Sequence, residues 1–169
     1  MSRFIAVTPY EVKREPASLV AMEPKVSIRR AAANDADAVA AVFSAAFKGM
    51  AFVPKLHSDD EDRAFVRGFI ADGETWIARH ERRPIGLACI EGDWLSHLYV
   101  HPMFQNRGAG TLLLDRVKAE RPGGFQFWAF QANVGARRFY ERHGCVAVEF
   151  TDGRRNEEKT PDVRYEWRG

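Results

Sequence analysis

Long apolar runs are missing from this chain: nowhere do the roughly 18 consecutive apolar residues of a membrane-crossing helix occur. The opening residues, MSRFIAVTPYEVKREPASL, also lack the apolar centre of a secretory leader, so a cytoplasmic protein without a membrane partner is expected. Cysteine is scarce. Cys89 and Cys145 lie far apart in short apolar runs and no CxxC pair occurs, which predicts two buried reduced thiols in place of a disulfide framework. The five histidines show no HExxH or comparable spacing, so no metal is expected. Charge of one sign is not in excess either. The 25 basic and 23 acidic residues leave +2, too balanced for a protein that coats nucleic acid by electrostatics, and nucleic acid is not an expected partner. Internal repeats and low-complexity tracts are absent as well.

What is present fits one core. A chain of 169 residues, 46% hydrophobic and 28% charged, has the profile of a single globular domain. Residues 1–24, interrupted by Pro9, Pro16 and Pro24, read as an arm outside it, and residues 25–169 as the domain. KVSIRR (25–30) reads as a strand. Asn34 or Asp35 then caps a helix whose Val39, Val42, Phe43, Ala46 and Phe47 recur at helical spacing. Ser58 and Glu61 have capping-box spacing and open a second helix that ends near Gly73. TWIARH (75–80), PIGLACIE (84–91) and WLSHLYV (94–100) follow with short turns between them, which predicts an antiparallel meander. A third helix carries Leu112, Leu113, Leu114 and Val117 and stops before Pro122. FQFWAF (125–130), reached through that helix, is expected to lie parallel to the preceding strand. Asn133 opens a fourth helix over 134–143, and CVAVEF and VRYEW are the last strands, joined by the polar loop TDGRRNEEKTPD.

The third helix begins oddly. In HPMFQNRGAGTLLLDRVKAE, Gly108 and Gly110 stand where the helix must start, although each glycine costs about 1 kcal/mol relative to alanine inside a helix. A phosphate would explain them, because a first turn has unpaired N–H groups and partial positive charge, and missing side chains let an anion come close. Alone, G-x-G before a helix is also a generic turn. Neither GxxxxGK[ST] nor GxGxxG is completed here.

LYVHPMFQNRGAG resembles the Q/R-x-x-G-x-G/A motif of the GNAT family of N-acetyltransferases, with Gln105 at its first position and Gly108 and Gly110 at its glycines. NVGARRFYERHG (133–144) is similar to that family's second cofactor element, an Asn opening a helix with a Tyr two turns later. The resemblance spans roughly residues 25 to 168 and implies an α/β (α+β) fold. That fold would have a mixed, mostly antiparallel sheet of about six or seven strands, about four helices and splayed parallel fourth and fifth strands. It also implies acetyl-CoA as co-substrate. The pantetheine would be held by the backbone of Leu98, Tyr99 and Val100 as by an added strand, and the phosphates by the amides of Arg107, Gly108, Ala109, Gly110 and Thr111, with Gln105 and Asn106 also counted on the cofactor side. Asn133 would contact the pantetheine arm and Tyr140 the thioester sulfur, while Arg137 or Arg138 could reach an outer phosphate or simply be solvated. Spacing supports the last group on its own, since positions 133, 137 and 140 share one helix face. A phenol with pKa near 10 stays a proton donor at neutral pH, which makes Tyr140 the expected general acid. The pair Phe139-Tyr140 also reads as core, because one of the two must face inward at helical spacing.

The acceptor is less legible. Positions that hold a base on the fourth strand of some relatives carry Trp94 and Ser96 here, which casts doubt on a base from that strand and leaves both as candidate substrate-lining residues. His97 has a suitable pKa but faces away from Ser96 by strand alternation. Glu91, Asp93, Glu157 and Glu158 could each hold a cationic acceptor or organise water, with Glu157 chosen for the substrate side; for the pair Glu157 and Glu158 a solvated loop is an equally open reading. The expected activity is acetyl transfer to a primary amine of a small molecule or a protein. Two rivals stand beside it: a sensor that binds acyl-CoA without transfer, and an enzyme acting on an RNA-borne amine through Arg137, Arg138 and Arg142. The resemblance also allows a homodimer.

Overall fold

The computed structural model describes residues 26–169; the predicted arm at 1–24 and Lys25 lie outside them. The elements run β1 (Val26–Arg30), α1 (Ala36–Lys48), α2 (Asp59–Asp72), β2 (Glu74–His80), β3 (Arg83–Glu91) and β4 (Trp94–Val100). There follow α3 (Ala109–Glu120), β5 (Phe125–Phe130), α4 (Val134–Arg142), β6 (Val146–Phe150) and β7 (Asp162–Trp167). They form one 7-stranded sheet in the order β1-β2-β3-β4-β5-β7-β6. Every pairing is antiparallel except β4 with β5, the mixed α/β pattern that the sequence predicts.

Period-two alternation divides the core between the two faces. Leu98 and Val100 of β4 join Leu113, Val117, Phe127 and Tyr140 beneath α3 and α4. Tyr99, with Leu87 and Cys89 of β3, packs under Val39, Phe43, Val66 and Phe69 of α1 and α2. Both cysteines are buried with no disulfide between them, and burial pushes the Cys145 thiol up to about 12. No helix among the described residues is long and apolar enough to cross a membrane.

Capping departs from expectation at one end. Ser58 and Glu61 form the complete box, the Ser58 hydroxyl accepting from Glu61 N at 3.3 Å and the Glu61 carboxylate from Ser58 N at 2.8 Å. Asp35 does not cap α1 with its side chain. Its backbone is already helical, so its carboxylate turns back to accept from Ala32 N at 2.8 Å and from Arg29 of β1 at 2.8 and 2.6 Å. Asp35 thereby ties the first strand to the entry of the first helix.

Candidate active site

The connection after β4 builds an anion-sized cradle. A short 3-10 turn at Pro102–Phe104 leads into Gln105, and Asn106 and Gly108 both adopt left-handed backbone, at φ 59° and 85°. Gly108 needs that conformation, and a Cβ placed on it would meet nothing within 4 Å, because that side opens into the cradle. The first N–H groups of α3 have no helical partner by the geometry of any helix start, and they carry the positive end of its dipole. The cradle is a cavity of about 360 Å³ that includes Gln105, Asn106, Gly108, Gly110 and Thr111, closed on its other side by Phe139, Arg142 and His143 of α4 and its end. Gln105 is buried and donates through Nε2 to Val100 O at 2.9 Å, bracing the end of β4 against the turn.

Beside the cradle the sheet splits. β4 and β5 share a single register pair, Trp94 with Gln126, reinforced by Gln126 N donating to Asp93 O at 2.9 Å. His101 N donates to Ile85 O, so alternation turns the backbone groups of Tyr99 toward Leu87 of β3 and those of Leu98 and Val100 toward the gap. Of the three backbones expected to face a pantetheine, Tyr99 therefore already has a strand partner, and Val100 O is shared with Gln105.

Asn133 and Tyr140 lie on this side of the sheet. Asn133 caps α4, its Oδ1 accepting from Ala136 N at 3.0 Å, while its buried Nδ2 has no hydrogen-bond partner among the described residues. Tyr140 is fully buried against Phe127, ring centroids 4.4 Å apart, and its hydroxyl is likewise without a partner among the described residues. Leaving a buried phenol unsatisfied is costly, so the two orphaned groups point to a missing polar ligand. Burial, with Cys145 and Tyr99 adding, raises the Tyr140 phenol well above its usual range and keeps it a proton donor. Arg137 is placed elsewhere. It donates to the Tyr165 hydroxyl at 3.2 Å and to Gln131 O at 3.4 Å, and its guanidinium stacks over Phe150.

The opposite face holds a second cavity, of about 270 Å³, between α1, the α1–α2 connection and the β6–β7 loop. Phe43, Phe47, Met50 and Phe65 make its apolar wall, and Asp62 and Glu158 are its buried carboxylates. Both carboxylates, after burial itself, help to raise the Tyr99 phenol. His97, packed on Phe65 and Phe69 at 5.3 and 4.8 Å, lies under this wall. Of the neighbouring glutamates it is Glu158 that enters the cavity, while Glu157 pairs with His57 at 2.9 Å. Trp94 and Ser96 are not among the residues that line it: Trp94 sits where β4 and β5 still pair, and Ser96 is buried.

Sequence reasoning missed Arg142, His143 and Phe139 as cradle residues and Asp62, Phe43 and Phe65 as cavity residues. His143 Nδ1 lies 2.7 Å from Phe139 O, which can only accept, so that nitrogen carries a proton and Nε2 faces the Thr111 hydroxyl at 3.2 Å. The three-and-four spacing of 139, 142 and 143 could have marked that face. Nothing local marks the other group, which three separate segments assemble.

Residues 71–145 match the sequence model of the acetyltransferase (GNAT) domain. Every cradle residue falls inside that segment and every residue lining the second cavity outside it. An uncharacterized N-acetyltransferase of Methanocaldococcus jannaschii is 30% identical over 109 residues, 58% of this chain and 45% of that protein, so the chain spans about half the length of this curated relative. Among solved structures, a GCN5-related N-acetyltransferase from Rhodopseudomonas palustris aligns with a TM-score of 0.70 at 24% identity, over 90% of this chain and 100% of that one. The PaiA N-acetyltransferase of Thermoplasma acidophilum, in complex with coenzyme A, aligns at 0.64 and 18%, over 86% and 99%.

Proposed function

From the match of residues 71–145 to the acetyltransferase (GNAT) domain, we propose that the chain transfers an acetyl group from acetyl-CoA to a primary amine, directly and with both substrates bound together. The observation that carries this reading is the buried Tyr140 hydroxyl, without a partner among the described residues, beside a strand gap that ends in a glycine-lined cradle.

The residues present fit the co-substrate. The α3 amides with Gly108 and Gly110 would hold its diphosphate, Arg142 would add a guanidinium that makes no ion pair among the described residues, and the outward backbones of Leu98 and Val100, with Asn133 Nδ2, would hold the pantetheine amides. A neutral amine on the α1/α2 face attacks the acetyl carbonyl carbon, the N–C bond forms and the C–S bond breaks. Tyr140 gives its proton to the departing sulfur, while the amine nitrogen sheds one to water or a cavity carboxylate, so protons balance overall. Orientation supplies much of the rate, since well-aligned approach is worth several kcal/mol and up to about 7 to 11.

Tyr140→Phe tests the assignment. Turnover should fall by about 100-fold or more, with acetyl-CoA affinity by calorimetry close to wild type. Equal turnover removes the acid role, and coenzyme binding without transfer to any amine would favour a sensor.

A further inference from the structure

We infer that the acceptor is a primary amine carried on a compact apolar body, an arylalkylamine in chemical class, bound in the cavity on the α1/α2 face. The inference rests on the acetyl-transfer reading and adds the substrate class to it.

The cavity has two chemically distinct parts. Its wall of Phe43, Phe47, Met50 and Phe65 offers no charge. A second ammonium or a cluster of hydroxyls seated there would lose its water without replacement, at several kcal/mol. Its polar part is anionic: Asp62 and Glu158 are 8% and 7% exposed, and both are among the residues lining the cavity. Asp62 has the neutral Ser44 hydroxyl as its side-chain partner, at 2.8 Å, and no ion pair among the described residues. The lysines of the rim are engaged: Lys48 and Lys55 both hold Asp59, at 3.1 and 3.2 Å, and the His57 ring lies 2.9 Å from Glu157. A buried carboxylate without a cation is costly; an arriving ammonium supplies one, and it passes one proton to that carboxylate or to water before the nitrogen attacks as the neutral amine. At about 270 Å³ the cavity falls just below the usual run of ligand sites, about 300 to 1,000 Å³, so one ring on a short arm fits and an oligosaccharide does not. These lining residues lie outside the segment that matches the acetyltransferase domain, as a determinant particular to this chain would.

The test compares 2-phenylethylamine, spermidine and 2-phenylethanol, by calorimetry on the full chain and by acetyl transfer read as thiol release and product mass. The expected result is that 2-phenylethylamine binds and is acetylated with kcat/KM about 100-fold above spermidine, while the uncharged alcohol binds about tenfold more weakly or worse. Asp62→Asn should raise the KM for 2-phenylethylamine about tenfold, with acetyl-CoA affinity unchanged. Should that variant fail to fold by circular dichroism, Glu158→Gln takes its place with the same expectation. Preference for spermidine, equal binding of alcohol and amine, or wild-type KM in the folded variant overturns the inference. Acetyl-CoA binding together with rejection of 2-phenylethylamine overturns the inference alone, whereas no heat with acetyl-CoA overturns the acetyl-transfer reading beneath it.

Discussion

Gly108 and Gly110 are both glycine for different reasons. At Gly108 the backbone is left-handed, and any side chain would be strained. Gly110 sits in ordinary helical backbone, and a Cβ there would meet only the Phe139 ring at 3.5 and 3.7 Å and Val100 at 3.8 Å, which are normal contacts. The fold therefore has no need of glycine at 110, and we propose that the vacancy leaves room for the co-substrate's phosphates. Gly110→Ala should raise thermal stability slightly, by up to about 1 kcal/mol from helix propensity, while weakening acetyl-CoA binding about tenfold. Thermal melts and calorimetry moving in opposite directions would bear this out. Loss of stability without loss of affinity would make the glycine structural.

The loop between β6 and β7 reads in sequence as solvated and polar, yet it is a built element. Asn156 Nδ2 donates to Thr160 O at 2.7 Å and to Asp162 Oδ2 at 2.9 Å, and Thr160 N donates back to Asn156 Oδ1 at 3.2 Å. Gln131 fastens its ends through Thr151 O and Asp162 O, at 2.8 and 2.9 Å, and the Thr151 hydroxyl bonds Asp162. This network turns Glu158 inward. Gly153 closes it, with φ 77° and an imagined Cβ only 2.2 Å from Thr160 backbone atoms, so alanine there must displace the loop. Gly153→Ala is expected to cost about 1 to 3 kcal/mol. It should also raise the acceptor KM while acetyl-CoA affinity holds, because the cradle stands on α3 and α4. Steady-state kinetics with each substrate varied in turn would check it.

Across the whole molecule, stability in acid follows from carboxylates held low by neighbouring cations: Asp35 by Arg29, Glu74 by Arg121, and Glu166 by Arg168 and Arg164. A carboxyl whose folded pKa is depressed adds stability above its unfolded pKa, near 4, and loses it as pH falls through the lower folded value. Asp35→Asn should destabilise by about 1 kcal/mol at pH 7, a modest figure because Arg29 is 39% exposed, and the difference should shrink below about pH 4. Denaturation curves at pH 7 and pH 3 would show it, and a gap that does not change with pH would deny the ion pair its role. The same long-range ties mark how far the sequence could be read. Periodicity, turn residues and capping spacing are local properties, so the succession of strands and helices, the cap at Ser58 and the glycine entrance to α3 were legible along the chain. Asp35 shows where local reading ends: its spacing suits a cap, but its carboxylate belongs to Arg29 of β1. The strand order that inserts β7 between β5 and β6, the turning of Arg137 to Tyr165, and the meeting of Phe43, Asp62 and Glu158 around one cavity were decided only in three dimensions. Residues far apart in sequence share no period, and it is the burial of surfaces from separate elements against one another that brings them together.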